Sequence, residues 1–254
     1  MISFQAGIVK FWKSMRSPRH QACQVHNPMA FPSYRLFRNW RLWLVLALSG
    51  AVSAQHPGAG VSADDALSRL MTGNERYVRD KQQHPDESLA RRKELESGQH
   101  PFAVVLGCAD SRVSPELLFD QGLGDLFVIR LAGNIVDDAA LGSIEYAVEH
   151  LGTKLVVVLG HENCGAVSAA VEAGDAPGHL KALVAAIKPS VEATAGAPGD
   201  KIHNCVIANA RRVAQQIRES PPMLKEYVER KTLKVVAADY ALDTGKVTLL
   251  DSSR

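Results

Sequence analysis

Aromatic residues are scarce, at 6% of the 254-residue chain, with only three Trp. An all-β sandwich built on large aromatic pairs is a poor fit to that composition. The apolar content, 46% overall, is carried by Ala, Val and Leu, which suits helices packed on a buried sheet. Cysteine is limited to four residues, Cys23, Cys108, Cys164 and Cys205, too few for a disulfide scaffold. Acidic residues are missing altogether before Asp64. That stretch carries seven basic residues: Lys10, Lys13, Arg16, Arg19, Arg35, Arg38 and Arg41. The formal charge of +2 therefore hides an asymmetry, because the remainder holds 22 basic against 27 acidic residues. A mildly acidic body argues against a nucleic-acid partner. Also missing is any apolar run near the ~20 residues that a membrane-spanning helix needs. The longest such run, Leu42–Leu48, is too short, so no stable membrane insertion of the mature protein is expected.

That short run follows Arg35, Arg38 and Arg41, and precedes the small residues Ser49, Gly50, Ala51, Val52, Ser53 and Ala54. A basic region, a short apolar core and a small-residue cleavage site make a secretory signal. Residues 1–54 are read as that signal and residues 55–254 as the domain, with a mature start near Gln55 and a periplasmic or secreted location. Because the region before Pro28 is long for a signal, Met29 is an alternative start. An uncleaved anchor or a transit peptide is the competing reading of this segment, and a cytoplasmic location is the alternative to export.

Along the domain, Asp64–Asp80 and Glu87–Gly98 read as two helices. Phe102–Gly107, Leu126–Arg130 and Leu155–Gly160 are short continuous apolar runs, the pattern of strands buried on both faces. Ile144, Ala147, Val148 and Leu151 fall on one helical face, closed by Gly152. Val206, Ala210, Val213, Ala214 and Ile217 form another, and a helix is expected to start near Asn163. Leu233–Tyr240 and Lys246–Leu250 flank the turn at Asp243, Thr244 and Gly245. Ala193–Asp200 reads as a loop. The expected fold class is α/β: a mostly parallel four-stranded sheet with an antiparallel edge strand, flanked by helices, with an N-terminal helical arm.

Cys108 directly follows the first buried run. His161 directly follows the third, and Cys164 lies three residues beyond it. Sites in open α/β sheets form at the carboxyl ends of strands, so two strand ends bring two thiols and an imidazole together. That donor set suits Zn²⁺, and three protein ligands leave a fourth tetrahedral position open, as in catalytic zinc sites. Asp110 is placed to occupy or guard that position. Arg112 is placed to grip the carboxylate and keep it ionised. Other readings stand beside this one. Cys108 and Cys164 could form a disulfide, as exported thiols commonly do, or Asp110 could close a purely structural zinc. Cys205 reads as a buried small hydrophobe. His84, His100, His150, His179 and His203 read as surface or satisfied residues.

Together, CADSR (Cys108–Arg112), RLAGN (Arg130–Asn134), SIEYAV (Ser143–Val148) and GHENCGAV (Gly160–Val167) resemble the β-class carbonic anhydrase family, over roughly Asp64 to Leu250. The resemblance implies one Zn²⁺ per chain bound by Cys108, His161 and Cys164. Asp110 and Arg112 would form the catalytic gate, with Asp110 ligating zinc only when the site is shut. It implies reversible hydration of carbon dioxide to bicarbonate and a proton by a zinc-bound hydroxide. By their offsets, Gln99, Phe127 and Tyr146 match the family's substrate pocket: Gln99 as an amide that holds the substrate, the two rings as its wall. RLAGN and Gln99 are similar to the members whose site stands open. The family also implies a homodimer or homotetramer, with the N-terminal helices embracing a neighbour and the pocket shared across the interface. Three functional alternatives are a lyase or hydrolase acting on a CO₂ analogue, a zinc-storage protein without catalysis, and a thiol-redox protein.

Overall fold

The computed structural model describes residues 60–172 and 176–250. The proposed signal region, with its alternative start at Met29, lies outside them.

The chain opens on α1 (Ala63–Val78), whose start is fixed by a reciprocal cap: Ser62 Oγ accepts from the Asp65 backbone N–H at 3.1 Å and donates to the Asp65 carboxylate at 2.7 Å. A short helix α2 (Leu89–Glu94) and a 3₁₀ turn (Leu95–Ser97) lead into β1 (Ala103–Gly107). Next come α3 (Pro115–Leu118), β2 (Leu126–Arg130), a 3₁₀ turn (Ala132–Asn134), α4 (Asp138–Glu149) and β3 (Leu155–His161). Three helices follow, α5 (Gly165–Glu172), α6 (Leu180–Ala193) and α7 (Lys201–Glu219). The chain ends with α8 (Met223–Glu229), β4 (Lys234–Tyr240) and β5 (Val247–Leu249). Asp137 and Asp200 cap α4 and α7 by accepting backbone N–H bonds in the first turn.

The strands form one sheet in the order β2-β1-β3-β4-β5, parallel except for β5, which pairs antiparallel with β4. The expected architecture is therefore present, four parallel strands with an antiparallel edge. Alternation along each strand splits the core. Val105, Val157, Leu159 and Val236 face α1, where Ala66 and Leu70 are completely buried. Val104, Leu106, Val156, Val158 and Ala237 face α4 and α7. Each fully buried Val or Leu contributes roughly 1.5–3 kcal/mol, so β1 and β3, buried along their whole length, anchor the molecule. α1 and α2 form the N-terminal helical arm, and α1 also packs on the sheet of its own chain.

Three local readings shift. Leu126–Arg130 has the same apolar run as β1, yet β2 is the sheet's outer strand and is half-buried throughout rather than buried on both faces. Composition cannot distinguish an edge covered by something else from a centre. The helix expected near Asn163 begins at Gly165, because Asn163 takes a left-handed φ of 51° that no helix accommodates. The third shift is an addition: α6 has no counterpart among the expected elements. Gly152, expected to close the helix of Ile144, does adopt φ 73° just past its end. Among the described residues no helix is long and apolar enough to cross a membrane.

Candidate metal centre

β1 and β3 are neighbours, so their carboxyl ends lie side by side. Cys108 leaves β1, and His161 is the last residue of β3. The left-handed step at Asn163 then turns the chain back so that Cys164, just before α5, faces the same point. The three ligand atoms all lie within 4.8 Å of one another, and all three residues are buried.

The donor chemistry fits a zinc ion. The two Sγ atoms are 4.0 Å apart. That is about twice a disulfide bond and close to the ~3.8 Å separating two thiolates on a tetrahedral zinc; both cysteines are free, as is Cys205. His161 is fully buried, and its Nε2 has no hydrogen-bond partner among the described residues. Its Nδ1 lies 2.8 Å from the Glu162 carbonyl. That carbonyl can only accept, so Nδ1 carries the proton and the bare lone pair sits on Nε2, aimed at the thiols. An orphaned buried nitrogen is costly without a partner, and a cation between the three groups supplies one.

The local field favours charge separation. The Cys108 thiol is held well below its ordinary range, chiefly because the Cys164 thiol donates to it. The backbone N–H groups of Gly133 and Asp110 add to this, against the opposing cost of burial. Cys164 is pushed up by the same sharing with Cys108 and by burial. Burial disfavours a charged His161, but the Cys108 thiolate outweighs it and raises the imidazole.

Asp110 stands at the rim. Arg112 donates from Nε to Oδ1 at 2.9 Å and from Nη2 to Oδ2 at 2.7 Å, and its backbone N–H adds a third bond at 3.0 Å. Those bonds, the side-chain pair first, hold the Asp110 carboxyl far below the usual carboxylate range. Arg112 is tied in turn to the Asn163 carbonyl at 3.2 Å, across the His161–Cys164 step. Asp110 Oδ2 lies 3.9 Å from His161 Nε2, and the carboxylate stays outside the three-residue cluster.

Residues that composition did not single out complete the frame. Arg130, at the end of β2, donates from Nε to the Cys108 carbonyl at 2.9 Å and from Nη2 to the Asp110 carbonyl. It thereby pins the loop that carries both groups. The Gly133 N–H donates to Cys108 Sγ at 3.2 Å. Both residues belong to RLAGN, a motif visible in the sequence without its purpose.

The pocket residues are placed differently. Phe127 and Tyr146 do meet, with ring centroids 6.3 Å apart. They do so on the flank of β2 and α4, and Tyr146 is 47% exposed, off the buried face of Ile144, Ala147 and Val148. Gln99 is exposed in the segment before β1, at the opposite end of that strand from Cys108. Seven residues of extended chain, about 23 Å, separate Pro101 from Cys108, so Gln99 does not reach the cluster of its own chain.

The family model for carbonic anhydrase matches residues 103–247, which include the whole cluster. The chain belongs to the β-class carbonic anhydrase family. Carbonic anhydrase 2 of Mycobacterium tuberculosis is 41% identical over 190 residues, covering 73% of this chain and 92% of that protein. The carbonic anhydrase of Mycolicibacterium smegmatis is 39% identical over 188 residues, covering 72% and 91%. Among solved structures, the β-carbonic anhydrase of Coccomyxa, determined with acetazolamide, is 27% identical with a TM-score of 0.59, over 72% of this chain and 86% of that one.

Proposed function

We propose that this chain catalyses the reversible hydration of carbon dioxide to bicarbonate and a proton, with one zinc ion per chain held by Cys108, His161 and Cys164. The observation that carries the reading is the buried Cys–His–Cys cluster with an orphaned His161 Nε2 and a clamped carboxylate at its rim. When bound, zinc in such a site lowers the pKa of a coordinated water toward about 7, which provides a nucleophile near neutral pH.

The protein's own groups do the rest. Asp110, kept ionised by Arg112, is an acceptor only. Its Oδ2, the oxygen nearer His161, would accept a hydrogen bond from a water at the site and so orient that water toward carbon dioxide. Arg112 prevents Asp110 from swinging onto the ligand cluster, and it is the residue that would release the carboxylate if the site shuts. Arg130 fixes the backbone on which both groups ride.

A second copy of the chain completes the pocket. Among the described residues the half-buried apolar strand β2 leaves an unpaired sheet edge, which supports a homodimer or a homotetramer built from dimers. Gln99, too far from its own cluster, would serve a neighbour's, and Phe127 with Tyr146 would line the shared wall. Gln99 would then hold one oxygen of the substrate while the rings exclude water from a small uncharged molecule. The acid-free N-terminal region supports export to the periplasm or beyond.

Metal content of the purified protein, measured together with stopped-flow CO₂ hydration across pH, tests the assignment. The expected result is about one zinc per chain with hydration rising through neutral pH. Zinc at full occupancy without hydration would indicate a binding protein, and a metal-free disulfide would indicate a redox protein.

A further inference from the structure

Cys108 receives a hydrogen bond from a turn that is itself held by α5, α6 and α7. The Ala132–Asn134 turn has Gly133 at φ 72°, and a Cβ there would lie 2.7 Å from Ile187 Cδ1 and 3.1 Å from Ala166 Cβ. α5 and α6 therefore press directly on the turn. Beneath it, a polar chain runs through an otherwise apolar core. Arg212 of α7 donates from Nε to Ser190 Oγ at 2.9 Å and from Nη2 to the Ala186 carbonyl. Ser190 Oγ donates to Asn209 Oδ1 at 3.2 Å. Asn209 Nδ2 donates to the Gly133 carbonyl at 2.8 Å, and the Gly133 N–H donates to Cys108 Sγ at 3.2 Å. Ser190 is 1% exposed and Asn209 is fully buried. Buried polar side chains carry a desolvation cost that an apolar residue of the same size avoids. These two make a connected path that ends on a thiolate.

We propose that Asn209 is a positioning residue for the Cys108 thiolate: by holding the Gly133 carbonyl it aims the Gly133 N–H at Sγ, and Ser190 and Arg212 hold Asn209 in place. The inference rests on Cys108 being a metal ligand. A hydrogen bond to a thiolate withdraws charge from sulfur, so the sulfur donates less to the ion and the ion stays more electropositive. Groups behind a ligand tune a metal in this manner. With two anionic thiolates in the site, this withdrawal offsets part of the charge that would otherwise blunt the ion.

The test is the cobalt(II)-loaded protein, read by its thiolate-to-cobalt charge-transfer absorption and by competition with a chelator. Asn209→Asp is nearly isosteric and keeps an acceptor for Ser190 and Arg212, but it removes the N–H aimed at Gly133. The band is expected to move to longer wavelength because the freed sulfur donates more to the ion, and metal affinity to fall about tenfold because the sulfur is no longer held in place. Ser190→Ala is expected to give a smaller shift in the same direction, and it carries the test if Asn209→Asp does not fold. Val213→Ala, one turn further along α7 in the opposite core cluster, should lower stability and leave the band in place. An unmoved band in both Asn209→Asp and Ser190→Ala would overturn the inference and reduce Asn209 to a core hydrogen-bonding residue. A wild-type cobalt protein with no thiolate band would instead overturn the ligand assignment beneath it.

Discussion

Arg112 grips both oxygens of Asp110, with its Nη2 2.7 Å from Oδ2, and so turns a flexible carboxylate into a fixed acceptor beside His161. Asp110→Asn keeps the shape but removes the ionised acceptor. It should retain zinc and lose about 10²-fold or more in turnover, as read by stopped-flow hydration alongside metal analysis. Full activity in this variant would contradict the gate role.

Cys164 and His161 have a different signature. Cys164→Ser replaces a soft donor with a weak one, and His161→Ala removes the nitrogen whose Nε2 is orphaned. Both should purify with little zinc and negligible hydration. Stoichiometric metal in Cys164→Ser would refute its place in the ligand set.

Asp120 should govern part of the acid stability. It is buried and accepts from the Gln83 and His84 backbone N–H groups and from Arg76. Burial works to raise its pKa, but these donors outweigh it and lower it. A carboxyl lowered in the folded state stabilises above its ordinary pKa near 4 and loses that contribution as pH falls through the folded value. Asp120→Asn should therefore be less stable by about 1–3 kcal/mol at pH 7. Its deficit should shrink as pH is lowered from about 5 toward 2. Denaturant melts of both proteins across that range measure it, and a constant deficit would contradict the assignment.

The edge of β2, unpaired among the described residues, predicts the assembly. Val128→Lys places a charge in the middle of the half-buried outer strand, a recognised way to block edge pairing. Light scattering should show dimers or larger species for the wild type and smaller species for the variant, with hydration reduced as the shared pocket is lost. A monomeric, fully active wild type would count against a shared site.

Export is checked directly by mass spectrometry of the secreted form. A mature N-terminus near Gln55 is expected, and an intact Trp43 in that material would refute cleavage.

Much of this molecule was legible before any coordinates. The apolar runs of β1 and β3 and their register with Cys108 and His161 are one-dimensional patterns, because strand burial and strand-end placement repeat along the chain. The 3.6-residue face of α7 is another, and Gly152 announces its left-handed turn because few other residues adopt it readily. The donor types of Cys108, His161 and Cys164 suit zinc, since ligand softness belongs to the side chain.

Three things waited for the tertiary structure. Whether LFVIR lies at the centre or the edge depends on strand order, a long-range property that five residues cannot encode. The separation of Gln99 from the cluster depends on β1 running extended between them, so its offset in the sequence alone did not show that it lies at the opposite end of that strand from Cys108. The path from Arg212 through Ser190 and Asn209 to Gly133 and Cys108 joins residues up to 76 positions apart in a single hydrogen bond. Nothing local marks those polar side chains as connected, because only packing α6 and α7 over the turn removes water from them and makes each the other's partner.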